Sequence, residues 1–202
     1  MKTPPFLHSI SGKGHMNTET TRVHMDDTNC VGCGQCISFC TTGAMQPANR
    51  TSEIEIAKAQ KLLLVAVVSP AARVAVAEGM GMGVGTAATA QLIAGLRKLG
   101  FEYVFDVQWA ADLCALEDAK EMRKARQEDK CPIFTSCCSG WINLVETRYP
   151  ETIMHVSTAK SPDAILCRLV KNHFARDLDK RPDELFVVDI SPCTAKKFEI
   201  DR

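Results

Sequence analysis

Leu62-Leu63-Leu64-Val65-Ala66-Val67-Val68 is the longest clean apolar run in the chain, and it ends at Ser69-Pro70. It is far too short to cross a bilayer. Continuous rather than alternating, and rich in valine and leucine, it reads as a strand buried on both faces. Residues 71–79 then read as a short helix and residues 86–99 as a longer one, with Gly100 as its C-terminal stop. Residues 101–107 form a second strand and 110–127 a charged amphipathic helix. Residues 133–136 make a brief third strand, and Ser139 is placed to cap the helix after it. Residues 162–178 are a further helix, and 185–190 a fourth strand ending at Ser191-Pro192. Strands alternating with helices predict an α/β domain with a mainly parallel sheet.

The chain has 202 residues, 46% of them apolar, enough to bury a sizeable core. Lysine plus arginine number 24, as do aspartate plus glutamate. The balance leaves no electrostatic footprint for nucleic acid or an anionic membrane. The first residues, Met1-Lys-Thr-Pro-Pro-Phe, contain no sustained apolar stretch, so no secretory signal is read. Ten cysteines are the outlier. Without a signal peptide they suggest metal binding or thiol chemistry in a reducing, cytoplasmic setting.

Cys30-Val-Gly-Cys33-Gly-Gln-Cys36-Ile-Ser-Phe-Cys40 has the spacing C-x2-C-x2-C-x3-C. Thiolates this close wrap one iron–sulfur cube, and Gly32 and Gly34 let the backbone turn around it, as in the bacterial ferredoxin run. Zinc sites more often use two separated pairs. Thr41 replaces the usual proline, and there is a single run. Either Cys40 closes one 4Fe–4S cluster with Cys30, Cys33 and Cys36, the preferred reading, or a first cluster has been lost.

Phe134-Thr135-Ser136-Cys137-Cys138-Ser139-Gly140-Trp141 follows the third expected strand, and Ser191-Pro192-Cys193-Thr194-Ala195-Lys196-Lys197-Phe198-Glu199 follows the fourth. Cysteines past the carboxyl ends of strands lie where open α/β sheets bind ligands. Two thiolates converging there could hold a cluster, and Lys196 could turn a cation toward an anionic ligand. These stretches resemble the iron-only (FeFe) hydrogenases, in their motifs T-S-C-C-P-x-W and M-P-C-T-x-K-K-x-E. The likeness runs from about Asp26 to Arg202 and includes Ser157-Thr-Ala-Lys-Ser-Pro162.

The resemblance implies a ferredoxin-like segment joined to part of an α/β hydrogenase catalytic domain. The boundaries read as a flexible leader (1–28), a 4Fe–4S segment and linker, partly helical (29–60), and the catalytic domain (61–202). It implies an H-cluster: a 4Fe–4S cluster bridged by a cysteine to a diiron centre with CO, cyanide and azadithiolate, which makes and splits hydrogen. Cys138 and Cys193 would ligate its 4Fe–4S part, Cys137 would pass protons to the azadithiolate amine, and Lys196 would hydrogen-bond a diiron cyanide. The proton route would continue through Asp118, Ser157 and Glu121. Asp118 and Glu121 sit three apart on one expected helix and can share a face. Aspartate is one methylene shorter than the family's glutamate, so an extra water would be needed there. Ser139 and Ser191 stand where the family has proline and methionine, and both make the site more polar.

The family's third motif, E-x-M-x-C-x3-C, has no counterpart here, so the chain is expected to be a fragment or one half of a split enzyme. The implied partners are ferredoxin or a similar electron carrier, hydrogenase maturation proteins and a further segment or subunit. Alternative functions are a non-catalytic, hydrogenase-like iron–sulfur assembly factor and a hydrogen-sensing module. Cys114, Cys131 and Cys167 match no motif and are expected to be buried as small apolar residues. The five histidines show no ligand spacing. Gly79-Met-Gly81-Met-Gly83-Val-Gly85 follows a helix rather than a strand, which argues against a dinucleotide loop.

Overall fold

A computed structural model describes residues 30–47 and 49–200. The leader expected over residues 1–28 lies outside them. In chain order the elements are α1 (Gln35–Ser38), α2 (Thr51–Ala59), β1 (Leu63–Val68), α3 (Pro70–Gly79), α4 (Thr89–Lys98), β2 (Tyr103–Asp106), α5 (Val107–Gln127), α6 (Ser139–Arg148), α7 (Pro162–Leu169), α8 (Ala175–Asp177), β3 (Leu185–Ile190) and α9 (Lys196–Ile200). The described residues fall into two compact units. The larger holds Arg50–Cys137 and Ser157–Pro192. The smaller holds the described parts of Met1–Asn49 and Cys193–Arg202, together with Cys138–Val156.

In the larger unit β1 is the middle of three strands, ordered β2-β1-β3 and parallel throughout. Every residue of β1 is buried. Its side chains alternate between two cores, as the two-residue period of a strand requires. Leu63, Val65 and Val67 pack with Val107 and Ala110 of α5, Leu166 of α7, Val170, Ala175 and Leu185. Leu64, Ala66 and Val68 pack with Ala57 of α2, Ala72 of α3, Leu92 and Leu96 of α4, and Phe101. Register carries the division across the sheet: Val65 faces Tyr103 and Val187, while Ala66 faces Val104 and Val188. The sheet is thus covered by helices on both sides, which is why β1 reads as a continuous apolar run.

The remaining elements follow local rules. Asp106, the last residue of β2, caps α5 by accepting the Gln108 N–H at 2.9 Å, so this helix starts at Val107 and not at Ala110. Helix α4 starts at Thr89, later than the periodicity suggests, because Gly83–Thr86 closes a turn and the Ala88 N–H is tied to Arg73 O at 3.1 Å. The linking segment contains α2. The helix expected over 162–178 is continuous but includes a π turn at Val170–Phe174. Phe174 there meets Tyr103 and Phe105 edge-on, each ring at 4.9 Å.

The third expected strand does not form. Among residues 133–136 only Phe134 makes an isolated bridge. Both sides of β1 are already paired, and the segment bonds instead to residues 157–159. Phe134 O accepts the Ser157 N–H at 2.7 Å, and Ser136 Oγ donates to Ala159 O.

The smaller unit contains α1, α6, a 3₁₀ segment at Pro150–His155, and α9. Helix α6 is capped by Cys138, whose Sγ accepts the Trp141 N–H. Ser139 is therefore the first helical residue rather than the cap, and its hydroxyl is left for another partner.

Candidate functional site

The ferredoxin-type run lies in the smaller unit. Gly34 (φ 78°) caps α1, and Gly32 (φ 68°) also takes the left-handed conformation that suits glycine. Backbone donors point at two of the sulfurs: Gly32 N–H to Cys30 Sγ at 3.4 Å and Met45 N–H to Cys40 Sγ at 3.3 Å. The Thr42 hydroxyl beside Cys40 Sγ (3.4 Å), followed by the Met45 N–H, lowers that thiol to about 7. Cys33 and Cys36 are exposed, and Cys30 and Cys40 partly so. Among the described residues no three His, Cys, Asp or Glu side chains are drawn together as metal ligands. By donor chemistry the run fits a 4Fe–4S cluster. It offers soft thiols at ferredoxin spacing, with N–H groups for the hydrogen bonds to sulfur that tune such clusters.

Cys138 and Cys193 belong to the same unit, and both are exposed. Cys138 stands at the N-terminal edge of α6. Cys193 opens the turn into α9, where its carbonyl accepts the Lys196 N–H at 3.3 Å. Lys196 Nζ pairs with Glu199 Oε2 at 2.8 Å, and both side chains are largely buried. Buried Ser139 donates to the same oxygen, also at 2.8 Å. The ammonium is thereby fixed in place by a carboxylate that carries two donors. The two thiols fit as part of a second cluster's ligand set.

The larger unit holds Cys137, Asp118, Ser157 and Glu121. Cys137 is exposed. Ser157 is buried, and its Oγ donates to Asp118 Oδ1 at 2.8 Å. Glu121, one turn along α5, accepts the Thr158 N–H at 3.0 Å and the Thr158 hydroxyl. Burial pushes the Glu121 carboxyl up, but hydrogen bonds from Ser157 and Thr158 outweigh it and leave it below the ordinary range. Asp118, Ser157 and Glu121 are thus brought together, with Ser157 between the carboxylates. Buried Cys114 stands a turn before Asp118, its Sγ 3.4 Å from Lys160 O and 3.9 Å from Asp118 Oδ2.

Other expectations divide. Cys114 is buried and Cys167 packs at the edge of the core, but Cys131 is exposed. It lies in the loop after α5, beyond the Asp129 turn, where no element covers it. His173 Nδ1 contacts Arg176 at 3.1 Å. The Gly79–Gly85 segment is a loop following α3, with Glu78 Oε1 accepting the Gly85 N–H. Sequence reading missed Thr158, Thr194, Asn143 and Ser69. Ser69 Oγ is buried without a hydrogen-bond partner at the carboxyl end of β1. The repeated Ser-Pro after β1 and β3 could have flagged it. Thr194 and Asn143 bond to residues over a hundred positions away, which no local pattern reveals.

Residues 63–202 match the family of the iron-only hydrogenase large subunit, C-terminal domain, and residues 23–46 match a 4Fe–4S binding domain. The chain is 38% identical to the NADP-reducing hydrogenase subunit HndD of Solidesulfovibrio fructosivorans, over 89% of this chain and 32% of that protein. It is 30% identical to cytosolic iron-sulfur assembly component 3 of Bos taurus, over 94% of this chain and 42% of that protein. The structure of an apo [FeFe]-hydrogenase HydA1 variant from Chlamydomonas reinhardtii superposes with a TM-score of 0.69 at 38% identity, covering 74% of this chain and 40% of that one. The chain spans about a third to a half of the curated relatives it matches. No helix among the described residues is long and apolar enough to cross a membrane. With a matched 4Fe–4S segment ahead of a matched catalytic-domain segment, the chain belongs to the iron-only hydrogenase large-subunit family and binds iron–sulfur.

Proposed function

We propose that this chain carries part of the active site of an FeFe hydrogenase, reducing protons to hydrogen and running the reverse reaction. The observation that supports this best is the contiguous set Asp118–Ser157–Glu121, joined by hydrogen bonds in the unit that also holds Cys137. Such a set suits proton delivery, because each transfer needs hydrogen-bond reach or one bridging water. Cys137 is the proposed donor to the reacting centre. The carboxylates and the Ser157 hydroxyl restore its proton from solvent.

Cys138 and Cys193 are the proposed ligands of the active-site 4Fe–4S cluster. A 4Fe–4S cluster takes four ligands, so the remaining ones would come from outside these residues, from a further segment or a second subunit. Lys196, held by Glu199, would face an anionic cyanide ligand with a charge-assisted hydrogen bond. The diiron part of the H-cluster, when bound, would supply the site where protons and electrons combine. Residues 29–60 would form the electron-entry segment and 61–202 the catalytic part. A cytoplasmic ferredoxin or similar carrier would be the electron partner, and hydrogenase maturation proteins would build the diiron part.

A second reading is a non-catalytic assembly factor, favoured by the likeness to cytosolic iron-sulfur assembly component 3. Such a factor would keep cluster ligands without needing a proton-passing thiol beside Cys138, a fixed Lys196 or a carboxylate–hydroxyl chain. The test is Cys137→Ala in the matured protein. Hydrogen turnover should nearly vanish while iron content and 4Fe–4S absorption stay at wild-type level. Undiminished hydrogen evolution would contradict the role assigned to Cys137.

A further inference from the structure

Within the smaller unit, the ferredoxin-type loop is seated directly on the loop that carries Cys193. Thr194 Oγ1 donates to Gly32 O at 2.6 Å, and Asn143 Nδ2 donates to Cys30 O at 2.8 Å. The fit is close enough to exclude side chains. A Cβ on Gly34 would stand 2.7 Å from Thr194 Oγ1, and one on Gly140 3.2 Å from Val31 O. Gly32 immediately precedes Cys33, and Thr194 immediately follows Cys193. One hydrogen bond and a short stretch of covalent bonds therefore join a thiol of the ferredoxin-type run to a proposed ligand of the second cluster.

We infer that Thr194 is a positioning residue whose hydroxyl couples the two iron–sulfur sites, fixing their separation and carrying the electronic contact between them. The inference rests on the reading above that Cys193 holds a second cluster. The transfer is a single electron: the cluster on the ferredoxin-type run is oxidised and the one on Cys193 reduced. No bond is made or broken and no proton moves. A low-potential one-electron carrier refills the donor. A carbonyl-to-hydroxyl hydrogen bond suits this task because it closes a through-space gap at 2.6 Å without adding charge. Glycine at 34 is part of the same device, since any larger residue there displaces the Thr194 side chain.

The test uses the protein with its iron–sulfur clusters reconstituted anaerobically, in three variants. Thr194→Val keeps the shape and removes the donor. Thr194→Ala removes the donor with no bulk against Gly34, which guards against a misfolded valine variant. Thr194→Ser restores the donor. Iron content and the midpoint potential of each cluster check integrity. Inter-cluster electron transfer after rapid reduction, and spin–spin broadening of the reduced clusters' electron paramagnetic resonance, report the coupling. Thr194→Val and Thr194→Ala should slow transfer several-fold and weaken the broadening at unchanged potentials, and Thr194→Ser should restore both. Unchanged transfer and broadening in both donor-less variants would overturn the bridge, as would failure of Thr194→Ser to restore them. A wild-type protein that shows the ferredoxin-type signal and no second one would contradict the second-cluster reading and, with it, the bridge.

Discussion

Glu121 shows how single side chains are tuned here. Its carboxylate accepts bonds from Thr158 and Ser157, and these outweigh the burial that favours its protonated form. A carboxyl lowered in the folded state adds stability above its unfolded pKa, roughly 4.3, and loses it as pH falls through the folded value. Thermal unfolding followed against pH should therefore show Glu121→Gln less stable than wild type near neutrality, with the gap closing on acidification. A gap that stays constant would mean Glu121 is not held in this way. Ser139 is a second case. It occupies a position where the resembled family has proline, which carries no donor, and its hydroxyl gives Glu199 a second partner beside Lys196. The motif departure thus has a local use: it stiffens the carboxylate that holds the lysine.

At the scale of elements, β1 was plain in the sequence and the 133–136 strand was not. The run from Leu62 to Val68 is apolar throughout because both faces are covered by helices, so burial writes itself into every position. Residues 133–136 have a similar apolar start, but the sheet offers no free edge of β1, and side-chain patterning does not report edge availability. The start of α5 and the cap of α6 depended on which of two neighbouring residues accepts the first N–H. Asp106 and Cys138 do so, displacing both boundaries from the apolar pattern. The cysteine motifs were legible because ligand spacing is local. The contacts that seat them, from Asn143 and Thr194, were not, because their partners are far away in the chain. The core itself makes a direct prediction. Leu185, 1% exposed and paired with Leu63 in the sheet, is one of the largest fully buried side chains. Leu185→Ala should cost about 2–5 kcal/mol of stability in denaturant titration. A loss well under 1 kcal/mol would mean the site collapses around the missing atoms.

At the scale of the whole molecule, the sequence is shared unevenly between two tasks. The larger unit spends its residues on a twice-covered sheet and on the Asp118–Ser157–Glu121 set. The smaller gathers three separate stretches of chain, each carrying cysteines or the groups that hold them. The boundary between units falls between Cys137 and Cys138, and again between Pro192 and Cys193. The residue proposed to handle protons and those proposed to hold iron thus belong to different compact bodies, although two of them are adjacent in sequence. An iron–sulfur assembly factor has use for the second body alone, whereas a hydrogenase needs both. Infrared spectroscopy of the protein purified from its own source, with whatever subunits accompany it, separates these outcomes most directly. Stretching bands of iron-bound CO and cyanide, alongside 4Fe–4S absorption and hydrogen evolution from a reduced carrier, are the predicted result. A protein with full 4Fe–4S content but neither the diatomic bands nor hydrogen would contradict the hydrogenase account.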